Sequence, residues 1–344
     1  MITLAMFGSA SVSLVPVLVL LGLLMLMDSF KLVRLRAIVL SIGVGGVSAL
    51  AAGVVNIAAI DNLPLTVPTF SRYLAPVIEE ALKAAYLVWL IRKARVGFLV
   101  DAAIHGFALG AGFALVENVD YLRSLEGASM TLWFVRGCGT AVLHGGTTAI
   151  FGMLAKDHYD RAPGAAAFLP AFAAAAAFHS LFNHFVLPPL MSAVVLLVTL
   201  PLLMMGMFEW SERATRAWLS DEFDGDLNRL QRIVAGNIAT TQTGRYLESI
   251  KDRFAGEVVS DMLCLLHVQL ELSIRAKGIM MAREAGLDMP IDTAVRDNLT
   301  EWRYLRSQVG RTGLLAMQPL LRGSTRDVWQ IAMLQDHSVP PSSD

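Results

Sequence analysis

The sequence predicts an all-α, polytopic membrane helix bundle with a helical C-terminal region outside the bilayer. Three observations predict it. Of the 344 residues, 55% are hydrophobic and only 17% charged, where an ordinary soluble domain is about 25% charged. The charges are uneven: residues 1–208 hold 12 Lys/Arg and 10 Asp/Glu, whereas the shorter stretch 209–344 holds 16 and 19. Seven stretches also have the ~20 mostly apolar residues a membrane helix needs: 11–29, 38–60, 71–91, 98–122, 131–154, 165–187 and 189–208. These observations exclude a single soluble enzyme, a disordered chain and a disulfide-stapled secreted scaffold. A formal net charge of -1 gives no footprint for nucleic acid. Cys138 and Cys264 make neither a disulfide framework nor a CxxC metal site.

The first span reads as a retained helix and not a cleaved signal, because no basic residue precedes it and Lys31, Arg34 and Arg36 follow it. Basic residues in short loops set the orientation. Alternate loops carry Lys31/Arg34/Arg36, Arg92/Lys93/Arg95, Lys156/Arg161 and Arg213/Arg216, while the opposite loops carry Arg72 and Arg123 with acidic Asp61, Asp120 and Glu126. The expected N-terminus is therefore outside and 209–344 cytoplasmic. Leu187-Pro188-Pro189 makes the turn between the last two spans, since proline stops a helix. The alanine run 171–177 offers a smooth packing face, and Gly110-Ala111-Gly112 reads as a packing feature inside the fourth span.

The expected domains are a transmembrane domain over 1–208 and a mostly helical cytoplasmic region over 209–344. In the second, apolar residues recur at helical spacing near 245–285 and 291–309. Asp261, Glu271, Arg275 and Lys277 flank its most apolar stretch, Leu263 to Leu270, and argue against an eighth span. Residues 338–344 read as a disordered tail.

Ionisable groups within hydrocarbon are costly and normally mark a site. The third span carries Glu79, Glu80 and Lys83, and the fourth carries His105, Glu117 and Asn118. The fifth holds Arg136 and His144, and the sixth His179 and Asn183. At 1.5 Å per residue, Glu79 and His179 lie about 8 residues, or ~12 Å, from the outer ends of their spans. Glu117 lies about 5 residues and His144 about 13 residues in on the same scale. Polar groups on four helices thus meet in the outer half of the bilayer. Glu79 and Lys83 are expected to share a face at i,i+4, as are Phe113 with Glu117 and His179 with Asn183. Arg136, Thr140, His144 and Thr148 form one expected stripe. His105 reads as structural, paired with Asp101 one turn away, and Asn56 as a packing hydrogen bond.

Carboxylates with two imidazoles suit two chemistries. They bind a divalent metal such as zinc, with Glu117, His144 and His179 the tentative ligand set. They also hold and deprotonate a water without metal, with Glu79 or Glu80 as general base, Glu117, His144 and His179 assisting, and Asn183 stabilising an oxyanion. Lys83, Asn118 and Arg136 read as supporting residues. Besides hydrolysis, a proton-coupled or ion transporter and a non-catalytic membrane sensor or scaffold fit intramembrane Glu, His and Lys. Against transport, no inverted repeat or pair of broken helices is visible, and the polar groups do not track across the membrane.

Four motifs follow in order. Glu79-Glu80-Ala81-Leu82-Lys83 reads EExxK after Ala75-Pro76. Gly112 to Asn118 reads GFxxxEN, followed by Tyr121. A single His144 occupies the next span, and His179 to Asn183 reads HxxxN. Over 71–187 this series resembles the PrsW family of intramembrane proteases. It is more distantly similar to CAAX-type and bacteriocin-processing membrane proteases, in which a His is usual where Glu117 stands. The resemblance implies an intramembrane metalloprotease making an outward-side, site-1 type cut in a membrane-protein substrate, such as a single-span anti-sigma factor. It implies nothing for 209–344, which is left to regulate access or to bind a cytoplasmic partner.

Overall fold

Helices make up the regular structure of the computed structural model, which describes residues 4–124, 129–287, 289–321 and 325–338, with no strand among them. Glu126 and the tail residues 339–344 lie outside the described residues, as does the side chain of Arg123. The chain divides into two compact units, Met1–Glu212 and Arg213–Asp344.

The first unit is built from α1 (Leu4–Met27), α2 (Leu35–Asn62), α3 (Ala75–Arg92), α4 (Leu99–Ser124), α5 (Ala141–Arg161), α6 (Leu169–Asn183) and the start of α7 (Pro189–Val234). At its centre α4 and α5 pack along one another, with α2 against the opposite side of α4. Both central helices are apolar or small nearly all round, which is the pattern of a fully buried helix. Glycine lets them approach. A Cβ on Gly110 would stand 2.1 Å from the carbonyl oxygen of His144, and one on Gly112 would stand 1.9 Å from that of Ile42. The Gly-Ala-Gly cluster is thus a contact between backbones, as its sequence suggests. Ala171 and Ala175 of α6 are buried in one apolar cluster with Leu87 and Phe151.

The outer helices are apolar outward. Val47, Leu50, Val54 and Ile57 on α2 are exposed, as are Val194, Val198 and Leu202 on α7. A face of this size would be a liability in water, and lipid matches it. Among the described residues, five helical stretches are long and apolar enough to cross a membrane: Leu35–Asn62, Leu99–Tyr121, Met130–Arg161, Ala165–Asn183 and Pro189–Val234. A shorter apolar stretch, Val15–Met27, belongs to α1. The remaining expected span, α3, has the length but carries Glu79, Glu80, Lys83 and Arg92.

Several boundaries differ from the sequence expectation. The sixth span stops at Asn183, four residues early, and Phe185 follows with φ 46°. The seventh helix does not end where the charges begin at Glu209 but runs on to Val234. Charge limits what lipid will accept; it does not stop helical hydrogen bonding. Wider π-helical turns lead into two of the helices, over Phe70–Leu74 before α3 and Val135–Thr140 before α5. Such turns are rare and recur at functional sites. Across the second of them, Arg136 and His144 of the expected stripe both reach Oε2 of Glu117.

In the second unit, α8 (Gln242–Ile250), α9 (Gly256–Glu284), α10 (Thr293–Ala316) and α11 (Thr325–Ser338) are all helical. Side-chain caps start two of them: Thr241 accepts from Gly244 N at 3.0 Å, and Asp292 accepts from Val295 N at 2.9 Å. Gly310, at φ 64°, breaks α10 in a conformation that favours glycine. The apolar stretch from Leu263 to Leu270 supplies core rather than a span: Leu265, Leu266, Val268 and Leu270 are buried. Lys277, fully buried on α9, pairs with Asp226 at 2.7 Å, and the Ser273 hydroxyl reaches the same carboxylate oxygen at 2.7 Å.

Candidate active site

On α3, Pro76 stands in the first turn, where its missing N–H costs nothing. Glu80, Lys83, Ala84, Leu87 and Ile91 recur at helical spacing and are buried. Glu80 therefore points into the bundle, with 2% of its side chain exposed. Glu79, one residue earlier, lies off the centre of that face and keeps 13% exposed. Adjacent glutamates thus occupy different surroundings.

Glu80 is saturated. Its Oε1 accepts from Lys83 Nζ at 2.6 Å and from His179 Nδ1 at 2.9 Å, and the Thr147 hydroxyl lies 3.3 Å away. Glu79 and Lys83, expected to share a face, are divided by burial: Lys83 lies on the buried face with Glu80 and forms this i,i+3 ion pair with it. Lys83 Nζ also stands 3.2 Å from His144 Nδ1 and 5.0 Å from the centre of the Phe113 ring. Breaking a buried pair by removing one partner typically costs about 3–5 kcal/mol. Lys83→Met should therefore lower the thermal unfolding midpoint in detergent markedly.

The two imidazoles are each held by a carboxylate. A protonated Nδ1 on His179 donates to Glu80, leaving Nε2 with its lone pair 3.8 Å from Glu79 Oε2. Lys83 donates to His144 Nδ1, which assigns the His144 proton to Nε2, where it donates to Glu117 Oε2 at 3.0 Å. The two rings meet edge to face with centroids 4.9 Å apart, and Phe113 packs on the other side of His144 at 4.8 Å. In this way GFxxxEN supplies both a wall and a partner.

Glu117 sits further out, with 26% of its side chain exposed. Arg136 stands 3.4 Å from it, donates through Nε to Asn118 Oδ1 at 3.1 Å, and stacks over the Tyr121 ring at 3.3 Å. Asn118 and Arg136 thus brace the outer carboxylate.

One group of described residues has metal-ligand spacing: Glu79, His144 and His179, each offering an atom within 4.8 Å of the others. His144 and His179 are shared with the tentative set, and Glu79 stands beside them here where that set has Glu117. The carboxylate of Glu117 is engaged by His144 and Arg136, whereas that of Glu79 faces the free nitrogen of His179. Two imidazoles and a carboxylate form a donor set that divalent zinc accepts in catalytic sites. The residues fit such an ion with His144 offering Nδ1, the nitrogen not held by Glu117, in place of its contact with Lys83.

Asn183 shares the HxxxN motif but not the cluster's hydrogen bonds. Its amide donates to the carbonyl of Ser71 at 2.9 Å, and Ser180 Oγ donates to that of Arg72 at 2.6 Å. Both bonds pin the end of α6 to the π-helical turn before α3. His105, expected to pair with Asp101, instead has Ser41 Oγ as its partner at 2.9 Å. Asp101 instead caps its own helix, accepting from Gly97 N and Phe98 N at 2.7 Å each. Sequence reasoning missed Thr147 beside Glu80, and it treated as packing an Asn56 whose amide donates to Glu79 Oε1 at 3.1 Å.

Fold and site together define a polytopic helical membrane protein with a carboxylate–imidazole centre inside its bundle, an arrangement suited to hydrolysis within the bilayer. A family model described as PrsW family intramembrane metalloprotease matches residues 33–207, just over half of the chain and all of the residues above from Asn56 to Asn183. The chain belongs to this family: it is an integral membrane hydrolase of the PrsW type, acting on a membrane-protein substrate within the bilayer. No curated protein and no solved structure gives a significant match.

Proposed function

We propose that Glu79, His144 and His179 form the catalytic centre of an intramembrane endopeptidase, with Glu79 the general base and zinc the metal. The observation that carries this reading is the division of the carboxylates. Glu80 and Glu117 are spent on holding the imidazoles, so Glu79 is the carboxylate left facing the centre of the cluster. Histidine ligands held by a carboxylate through their second nitrogen are the usual support of a metal site. Bound there, zinc would polarise the scissile carbonyl and acidify a water.

The chain's own groups do the rest. Glu79 takes the proton of the attacking water and returns it to the departing amine. Glu80 fixes the ring of His179 with Nδ1 protonated, and Lys83 neutralises Glu80 so that the centre does not hold three uncompensated carboxylates. Glu117, balanced by Arg136, does the same for His144. Asn183, bound to the turn before α3, steadies the outer ends of α3 and α6 and is not placed at the reacting atoms.

Residues 1–208 form the transmembrane protease domain in this reading. The basic loops support an N-terminus outside, a cytoplasmic 209–344 able to bind a partner there, and a site in the outer half of a bacterial inner membrane. A single-span, anti-sigma-factor-like regulator cut on its outward side suits that depth. The test is direct: purified protein in liposomes with a single-span reporter should yield two fragments. An intact reporter with proton flux across the liposomes would contradict the reading.

A further inference from the structure

Asn56 stands on α2, outside the four motifs. The buried residues of that helix, Ile38, Ser41, Gly45, Ser48 and Ala52, recur at steps of three and four. Continued outward, the same face arrives at Asn56, opposite α3. There its amide nitrogen donates to Glu79 Oε1 at 3.1 Å. The amide oxygen, Oδ1, is buried with no hydrogen-bond partner among the described residues. An orphaned buried acceptor typically costs about 1–3 kcal/mol, so as a packing residue Asn56 is a poor choice beside an alanine or leucine.

The position makes sense from the side of Glu79. Glu80 is held by three groups, whereas the hydrogen bond described for Glu79 is the one from Asn56. That bond occupies Oε1 and leaves Oε2 turned toward His179 Nε2. We infer that Asn56 is a positioning residue: it fixes the rotamer of Glu79 and selects which carboxylate oxygen faces the two imidazoles. The inference rests on the proposed role of Glu79 and adds a fifth helix to the site.

The test compares full-length wild type, Asn56→Leu, Asn56→Gln and His179→Ala in liposomes with the single-span reporter. Binding of Zn2+ alone and the melting temperature are measured alongside. Leucine keeps the volume and removes the donor. It should lower kcat about 10–100-fold and weaken Zn2+ binding by a similar factor, the usual scale for a partner of a metal ligand, with KM and melting temperature unchanged. Glutamine keeps the donor and should regain part of both. With His179→Ala inactive, Asn56→Leu retaining wild-type kcat and Zn2+ affinity would overturn the positioning role. So would losses that merely follow the melting temperature. His179→Ala cleaving at the wild-type rate would instead overturn the peptidase centre itself.

Discussion

Glu79→Gln should abolish most cleavage while leaving the protein as stable as wild type, whereas Glu80→Gln should do damage of another kind. Loss of a positioned general base typically lowers the rate about 10²–10⁴-fold. Glutamine at 79 removes the base but still accepts from Asn56, and no buried cation loses its partner. At 80 the same change leaves Lys83, fully buried, without its carboxylate at 2.6 Å. Removing one member of a buried pair costs about 3–5 kcal/mol. The carboxylate that orients His179 is lost as well, which is worth about 10–100-fold. Two neighbouring glutamates of one motif should therefore separate in a paired measurement of reporter cleavage and thermal unfolding. Equal behaviour of the two variants would contradict their assigned roles.

The second large effect concerns the metal. Dialysis of the purified protein against a strong chelator should eliminate cleavage, and Zn2+ should restore it. His144→Ala and His179→Ala should fail to recover at the same Zn2+ concentration, since each removes one of three donors within 4.8 Å. The fold should survive, because Glu80, Lys83 and Thr147 keep their mutual contacts without the ion. Full activity through the chelation step would favour the metal-free chemistry that the same residue types allow.

Much of this was legible in the sequence, for physical reasons. Hydrocarbon tolerates few charges, so Glu79, Glu80, Glu117, His144 and His179 stood out against an apolar background on four spans, and helical rise put them at overlapping depths. The resemblance across 71–187 named a family that the match over 33–207 bears out. What one helix at a time cannot supply is pairing between helices. Lys83 is equally placed to meet Glu79 or Glu80, and burial decides for Glu80. Glu117 and Glu79 are the same residue type at similar depth, and their neighbours, Arg136 for one and the free nitrogen of His179 for the other, set them apart. Asn56 carries no charge and belongs to no motif, so its address became visible once α2 was packed beside α3. The π-helical turns before α3 and α5 leave no hydrophobic signature, so they were not legible in the sequence.

The central claim is that a peptide bond is cut inside the membrane at the Glu79–His144–His179 centre. The most direct measurement is mass-spectrometric mapping of the reporter fragments made in liposomes by wild type and by Glu79→Gln. A cut within the outer half of the reporter's span, present with wild type and missing with Glu79→Gln, is the result predicted. A cut outside the membrane segment, or one that persists in Glu79→Gln, would contradict it.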